Sequence, residues 1–137
     1  MATSIVTGGS QHVDRPFDWH VWKLELTSVV DDEDPVITLD TLPSGVIVLS
    51  GYTQILVADT AGTSSTVALH VGTQPVVAAA NAKTLTLATL ATIAACGDAS
   101  VDGLAGAQAV TAVFARTGAA TTLPTVICAL LCGRVEY

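Results

Sequence analysis

Charge is scarce in this chain, and positive charge scarcest of all. Only 12% of its 137 residues are Asp, Glu, Lys or Arg, where an ordinary domain has about a quarter. The five basic residues, Arg15, Lys23, Lys83, Arg116 and Arg134, are scattered and outnumbered by 12 acidic ones, giving a formal net charge of −7. Without clustered Lys and Arg to displace counterions, a nucleic-acid backbone is excluded as a partner. Cysteine is limited to Cys96, Cys128 and Cys132. This is an odd number in a chain whose opening Met1 to Ser10 lacks the basic and apolar regions of a secretory signal. Buried free thiols are therefore expected, not a disulfide framework.

Long apolar runs are missing as well. Residues 41–58 and 60–82 carry no Asp, Glu, Lys or Arg, yet Gly, Ser, Thr, Gln and Pro interrupt them at short intervals. A spanning helix needs about 20 mainly apolar residues in a row, so no membrane partner is expected. Half the residues are nevertheless hydrophobic, and mean hydropathy is +0.60. An apolar excess of this size predicts that part of the surface meets another chain.

What is present is β punctuation. Residues 42–72 alternate β-branched apolar runs with small-residue turns, read as three strands of one antiparallel sheet: Val46–Leu49, a bend or bulge at Ser50-Gly51, Tyr52–Ala58, a short hairpin loop at 59–65, and Thr66–Val71. Upstream, the period of two from Trp19 to Val30 puts Trp22, Leu24 and Leu26 on one face. Asp31-Asp-Glu-Asp-Pro35 is a solvated turn, since four like charges do not pack together without partners. Val36–Thr41 is a further strand.

Pro75 excludes a central strand, and residues 76–83 fit a short helix or an irregular excursion equally. Leu85–Leu90 reads as a strand and residues 97–106 as a loop. Ala107–Thr117 is a strand with Val110, Ala112 and Phe114 on one face. Thr125–Val135 is apolar on both faces, as a central strand is. Seven to nine short strands define an all-β chain, a β-sandwich with jelly-roll-like topology. Residues 1–18, rich in Gly, Ser and Thr, form a flexible N-terminal arm, and 19–137 a single sandwich domain.

Catalytic and metal-binding patterns are thin. Asp31, Asp32, Glu33 and Asp34 lack the spaced ligand pattern of a Ca²⁺ loop. His12, Asp14 and His20 lack the second cluster that would complete a zinc site. His70 reads as an ordinary strand residue. Cys128 and Cys132, on one side of a strand, are about 13 Å apart, too far to share a metal. With no nucleophile elbow and no convergent acid, base and nucleophile, neither an enzyme nor a cofactor is expected.

The pattern Leu42-Pro-Ser-Gly-x-x-Val-Leu-Ser-Gly51, then Val57-Ala-Asp-Thr-Ala-Gly-Thr-Ser-Ser-Thr-Val-Ala-Leu-His-Val-Gly72, Val110-Thr-Ala-Val113 and the closing Arg134-Val-Glu-Tyr137 resembles small structural proteins of tailed bacteriophages, of the head decoration or cement type. The resemblance covers about residues 36–137. It implies a virion protein, made in the host cytoplasm, that sits on the outer capsid surface as a homo-oligomer, trimer before dimer. There it would bridge major capsid protein subunits and stabilise the head. The segment Phe17 to Trp22 and the acidic run depart from that pattern. Buried aromatics dominate contact energy at interfaces, so Phe17, Trp19 and Trp22 are the expected anchors. The alternative reading is a tail fibre or tailspike module that binds host glycans through exposed aromatics.

Overall fold

The computed structural model describes residues 2–9, 17–29, 33–43, 45–60, 63–85, 89–92, 96 and 107–134. Among the described residues there are nine strands: β1 (Thr3–Gly9), β2 (Phe17–Ser28), β3 (Val36–Leu42), β4 (Val46–Val57), β5 (Ser64–Val71), β6 (Gln74–Asn81), β7 (Thr89–Leu90), β8 (Gln108–Thr117) and β9 (Thr125–Arg134). They form two sheets, one ordered β1-β2-β9-β4-β7 and the other β3-β8-β5-β6. Every pairing is antiparallel. We call these sheet A and sheet B. The fold is an all-β sandwich.

The period of two selects what each sheet buries. Trp22, Leu24 and Leu26 of β2, Val126, Cys128, Leu130 and Cys132 of β9, and Val46, Val48 and Ile55 of β4 point inward from sheet A. They meet Val67, Leu69 and Val71 of β5 and Val110, Ala112 and Phe114 of β8 in one core. β9 lies between β2 and β4, so the strand that is apolar on both faces is central, as its sequence requires. Pro75 falls in β6, an edge strand of sheet B, where its missing N–H costs no ladder bond. The β5–β6 hairpin closes through Gly72-Thr73, with Gly72 at φ 61° supplying the left-handed residue a two-residue turn demands.

Residues 42–72 depart from expectation. They do not form three strands of one sheet: β4 belongs to sheet A and β5 to sheet B, so between Val57 and Ser64 the chain passes from one sheet to the other and the two strands are not a hairpin. The bulge expected at Ser50-Gly51 is present just before Ser50, and it does not divide the strand in two. A bulge between Val48 and Ser50 gives β4 one residue more than β9 at that point. Val46 and Val48 point inward before it, and Gly51, Thr53 and Ile55 after it. That phase flip is what makes one twelve-residue strand read as two.

The expected arm is also different. Thr3–Gly9 is not a free segment but pairs along β2 from Thr3 opposite Ser28 to Gly9 opposite Val21. Phe17 and Asp18 already belong to β2, while residues 10–16 lie outside the described residues. Gly8, at φ 114°, faces Trp22, and a Cβ there would run into the Val21 carbonyl oxygen. A glycine that signals flexibility in sequence is required here by close backbone approach. Residues 74–81 are strand, so the helix alternative at 76–83 does not hold; of the expected 85–90 strand Thr89–Leu90 is strand, Leu85 is not, and residues 86–88 lie outside the described residues. The 97–106 loop lies outside the described residues.

Candidate interaction face

Antiparallel partners project to the same side of a sheet, so the ladder shows which residues share the outer face of sheet A. One row runs Val21, Ala129, Tyr52 and Leu90; the next holds Trp19, Leu131 and Ser50. Trp19 is 42% exposed and Leu90 68%. The Trp19 and Tyr52 rings lie 5.8 Å apart at an interplanar angle of 54°. Ala129, between Val21 and Tyr52, is fully buried although it faces outward, because the larger side chains around it shut water out. Lys23 and Glu25 continue the β2 edge of this surface and pair with each other at 3.0 Å. The result is an aromatic and aliphatic patch with its local charge balanced, on a chain of net charge −7. Such a surface on an otherwise acidic protein can bury area against a partner at small electrostatic cost.

The three expected anchors separate. Trp19 lies on this face. Trp22, three residues on and of opposite phase, is 1% exposed in the core and is not available to a partner. Phe17 opens β2 opposite Gly133, and its side chain lies outside the described residues. Tyr52 and Leu131, which sequence reading did not single out as anchors, complete the patch. Their signal was the outward phase of β4 and β9, visible only once the β4 bulge fixes it.

The titratable residues serve the fold. Arg116 follows Val110, Ala112 and Phe114 on the inward side of β8 and is buried. Its Nε and Nη2 donate to the two carboxylate oxygens of buried Asp59 at 2.6 and 3.0 Å. A guanidinium at the end of a core row requires such a fork-to-carboxylate partner. The same end of the sandwich is laced by backbone bonds. Asp59 N–H donates to Ala82 C=O at 2.8 Å, Phe114 N–H to Pro35 C=O at 3.0 Å and Thr60 N–H to Thr122 C=O at 3.0 Å. Two members of the acidic run join in and so are not simply solvated: Asp34 Oδ1 accepts the Arg116 N–H at 2.8 Å, and Glu33 Oε1 accepts the Ala2 N–H at 3.0 Å. Asp31 and Asp32 lie outside the described residues.

Among the described residues no group of three or more His, Cys, Asp or Glu is placed to hold a metal. His12 and Asp14 lie outside them. His20 has the inward phase of Leu130, its ring 5.9 Å from that of Trp22, and its Nδ1 is buried without a partner. His70 pairs with Thr111 on the outer side of sheet B. All three cysteines are buried and none forms a disulfide. Burial pushes the Cys128 thiol up to about 12. Cys132 reaches about 12 by burial, with Cys96 and Asp18 adding to it, and burial also raises Cys96. Thiols held this firmly protonated are poor nucleophiles. No described helix is long and apolar enough to cross a membrane.

No family model, no curated protein and no solved structure matches this chain.

Proposed function

We propose that the chain is a non-enzymatic structural subunit of a tailed-phage virion. It would act as a head decoration or cement protein that docks the outer face of sheet A against major capsid protein subunits and bridges them. The observation that carries this reading is the exposed Trp19–Tyr52 pair with Val21, Leu131 and Leu90 around it. A lone subunit gains nothing by leaving these side chains in water, and an interface gains most from such anchors. The resemblance of residues 36–137 to that protein class supplies the partner.

The jelly-roll variant belongs to the proposal, and strand order supports it. With β1 set aside, β2-β9-β4-β7 facing β3-β8-β5-β6 is the alternation that two interlocked Greek keys produce. The test is position and copy number on purified particles. Many copies over the head support the reading; a few at the tail overturn it.

A tail-fibre module that binds glycans is the second reading, favoured by the same exposed aromatic pair. Sugar rings stack flat on aromatics, and a 54° tilt presents only one of the two rings to a given sugar face. Saturable binding of host polysaccharide, lost in Trp19→Ala, would establish it in place of the capsid reading.

A further inference from the structure

Each sheet ends in two edges, and three of the four are blunted. β7 is two residues long. β6 carries Pro75 in its second position. β3 carries Asp40 and a register shift between Thr38 and Asp40. These are the devices by which proteins keep sheet edges from recruiting other strands. β1 has one register shift at its very start, between Thr3 and Ser4, and none of the other devices. Thr3-Ser-Ile-Val-Thr-Gly-Gly9 contains no charge and no proline. Its register with β2 is regular from Ser4 to Gly9, and no described strand covers its other side. Ile5, on the outer face, is 51% exposed.

We propose that β1 is a strand-addition edge, and that its occupant is the β1 of a second copy of this chain, paired antiparallel across a two-fold axis. Three observations favour a second copy. An edge strand placed antiparallel against itself presents identical donors and acceptors to its mate, so one contact satisfies both subunits and closes. The approach of two chains that each carry −7 is opposed nearly everywhere, and least along seven consecutive uncharged residues. Pairing also extends sheet A continuously from one subunit into the next, with Ile5 of each brought toward the seam. The inference needs only β1 and stands apart from the docking of the outer face on a capsid.

The experiment is sedimentation equilibrium of the full chain over a range of protein and salt concentrations, with hydrogen exchange of the β1 amides. The expected result is a species of twice the 13.9 kDa chain mass. Its population should rise with ionic strength as the repulsion between acidic subunits is screened, and β1 amide protection should rise with protein concentration. The double variant Ile5→Lys/Thr7→Lys sets like charges against each other across the seam and should weaken the dimer about 100-fold, with an unchanged circular dichroism spectrum. Gly8→Ala, which displaces β1 from β2 without adding charge, should weaken it too. A chain that stays monomeric at every concentration would overturn the proposal, as would a trimer or a dimer indifferent to both variants. Protection of β1 that appears only when capsid protein is added would assign the edge to that partner instead.

Discussion

The outer faces of the two sheets have the same alternating backbone and differ in the size of their apolar side chains, aromatic on one and no larger than valine in the paired rows of the other. On sheet A the outward positions hold Trp19, Val21, Tyr52, Leu131 and Leu90 around a fully buried Ala129. On sheet B they hold Thr38, Thr111 and His70 in one row, Val36, Val113 and Ala68 in the next, and Thr66 and Ala115 in a third. Both faces lie outside the core, so neither needs large apolar side chains for the sandwich to form. Small hydroxylic and aliphatic side chains suffice for a face exposed to water. The aromatic excess on sheet A is therefore surplus to folding, and the proposed partner would account for it.

The sharpest way to test that distinction is to compare the two phases of β2. Trp22→Ala empties an inward site and should lower unfolding free energy by about 3–5 kcal/mol, measured by urea denaturation. Asp59→Ala strands the buried Arg116 charge and should cost a similar 3–5 kcal/mol. Neither result depends on a partner.

A pH-dependent effect reads the core thiols. Below the ordinary thiol value of 9.0, Cys128 and Cys132 are protonated both folded and unfolded, and the stability from burying them is fully present. Above it the unfolded chain loses protons that the fold, with thiols near 12, retains. Stability should fall between pH 9 and 12 by up to about 1.4 kcal/mol per pH unit for each thiol. Cys128→Ala should remove its share of that slope.

Outward positions should behave differently. Trp19→Ala should change stability by less than about 1 kcal/mol while greatly weakening attachment to the partner, and Thr111→Ala on sheet B should change neither. The smallest effect belongs to Thr53, whose Oγ1 is buried without a hydrogen-bond partner. Thr53→Val should be neutral or stabilise by up to about 1 kcal/mol.

Where residues alternate cleanly, the fold was legible. The inward face of β2, the double-sided apolarity of β9, the phase of β8 and the demotion of Pro75 to an edge all follow from period and residue type. Sheet membership did not, because a crossing connection and a hairpin loop use the same Gly, Ser, Thr and Asp residues; residues 58–63 illustrate this. β1 was hidden by two glycines and by having only Ile5 and Val6 as apolar residues. Ala78 to Ala80 suit a helix in isolation, and pairing with β5 overrides that preference. At the candidate face, the Trp-rich segment was recognisable, but the three-residue spacing from Trp19 to Trp22 puts the two rings on opposite sides of the strand. Tyr52 could not be assigned outward until the bulge ahead of it was known. The Asp59–Arg116 pair, 57 residues apart in sequence, had one clue: an arginine continuing an inward apolar row.

The proposal that the outer face of sheet A would hold this subunit on a phage head is tested most directly by counting copies per purified particle for the wild type and for Trp19→Ala/Tyr52→Ala, with folding of the variant verified by circular dichroism. The account expects many wild-type copies over the head and near-complete loss of the variant. Equal occupancy of the two, or wild-type protein confined to the tail, would contradict it.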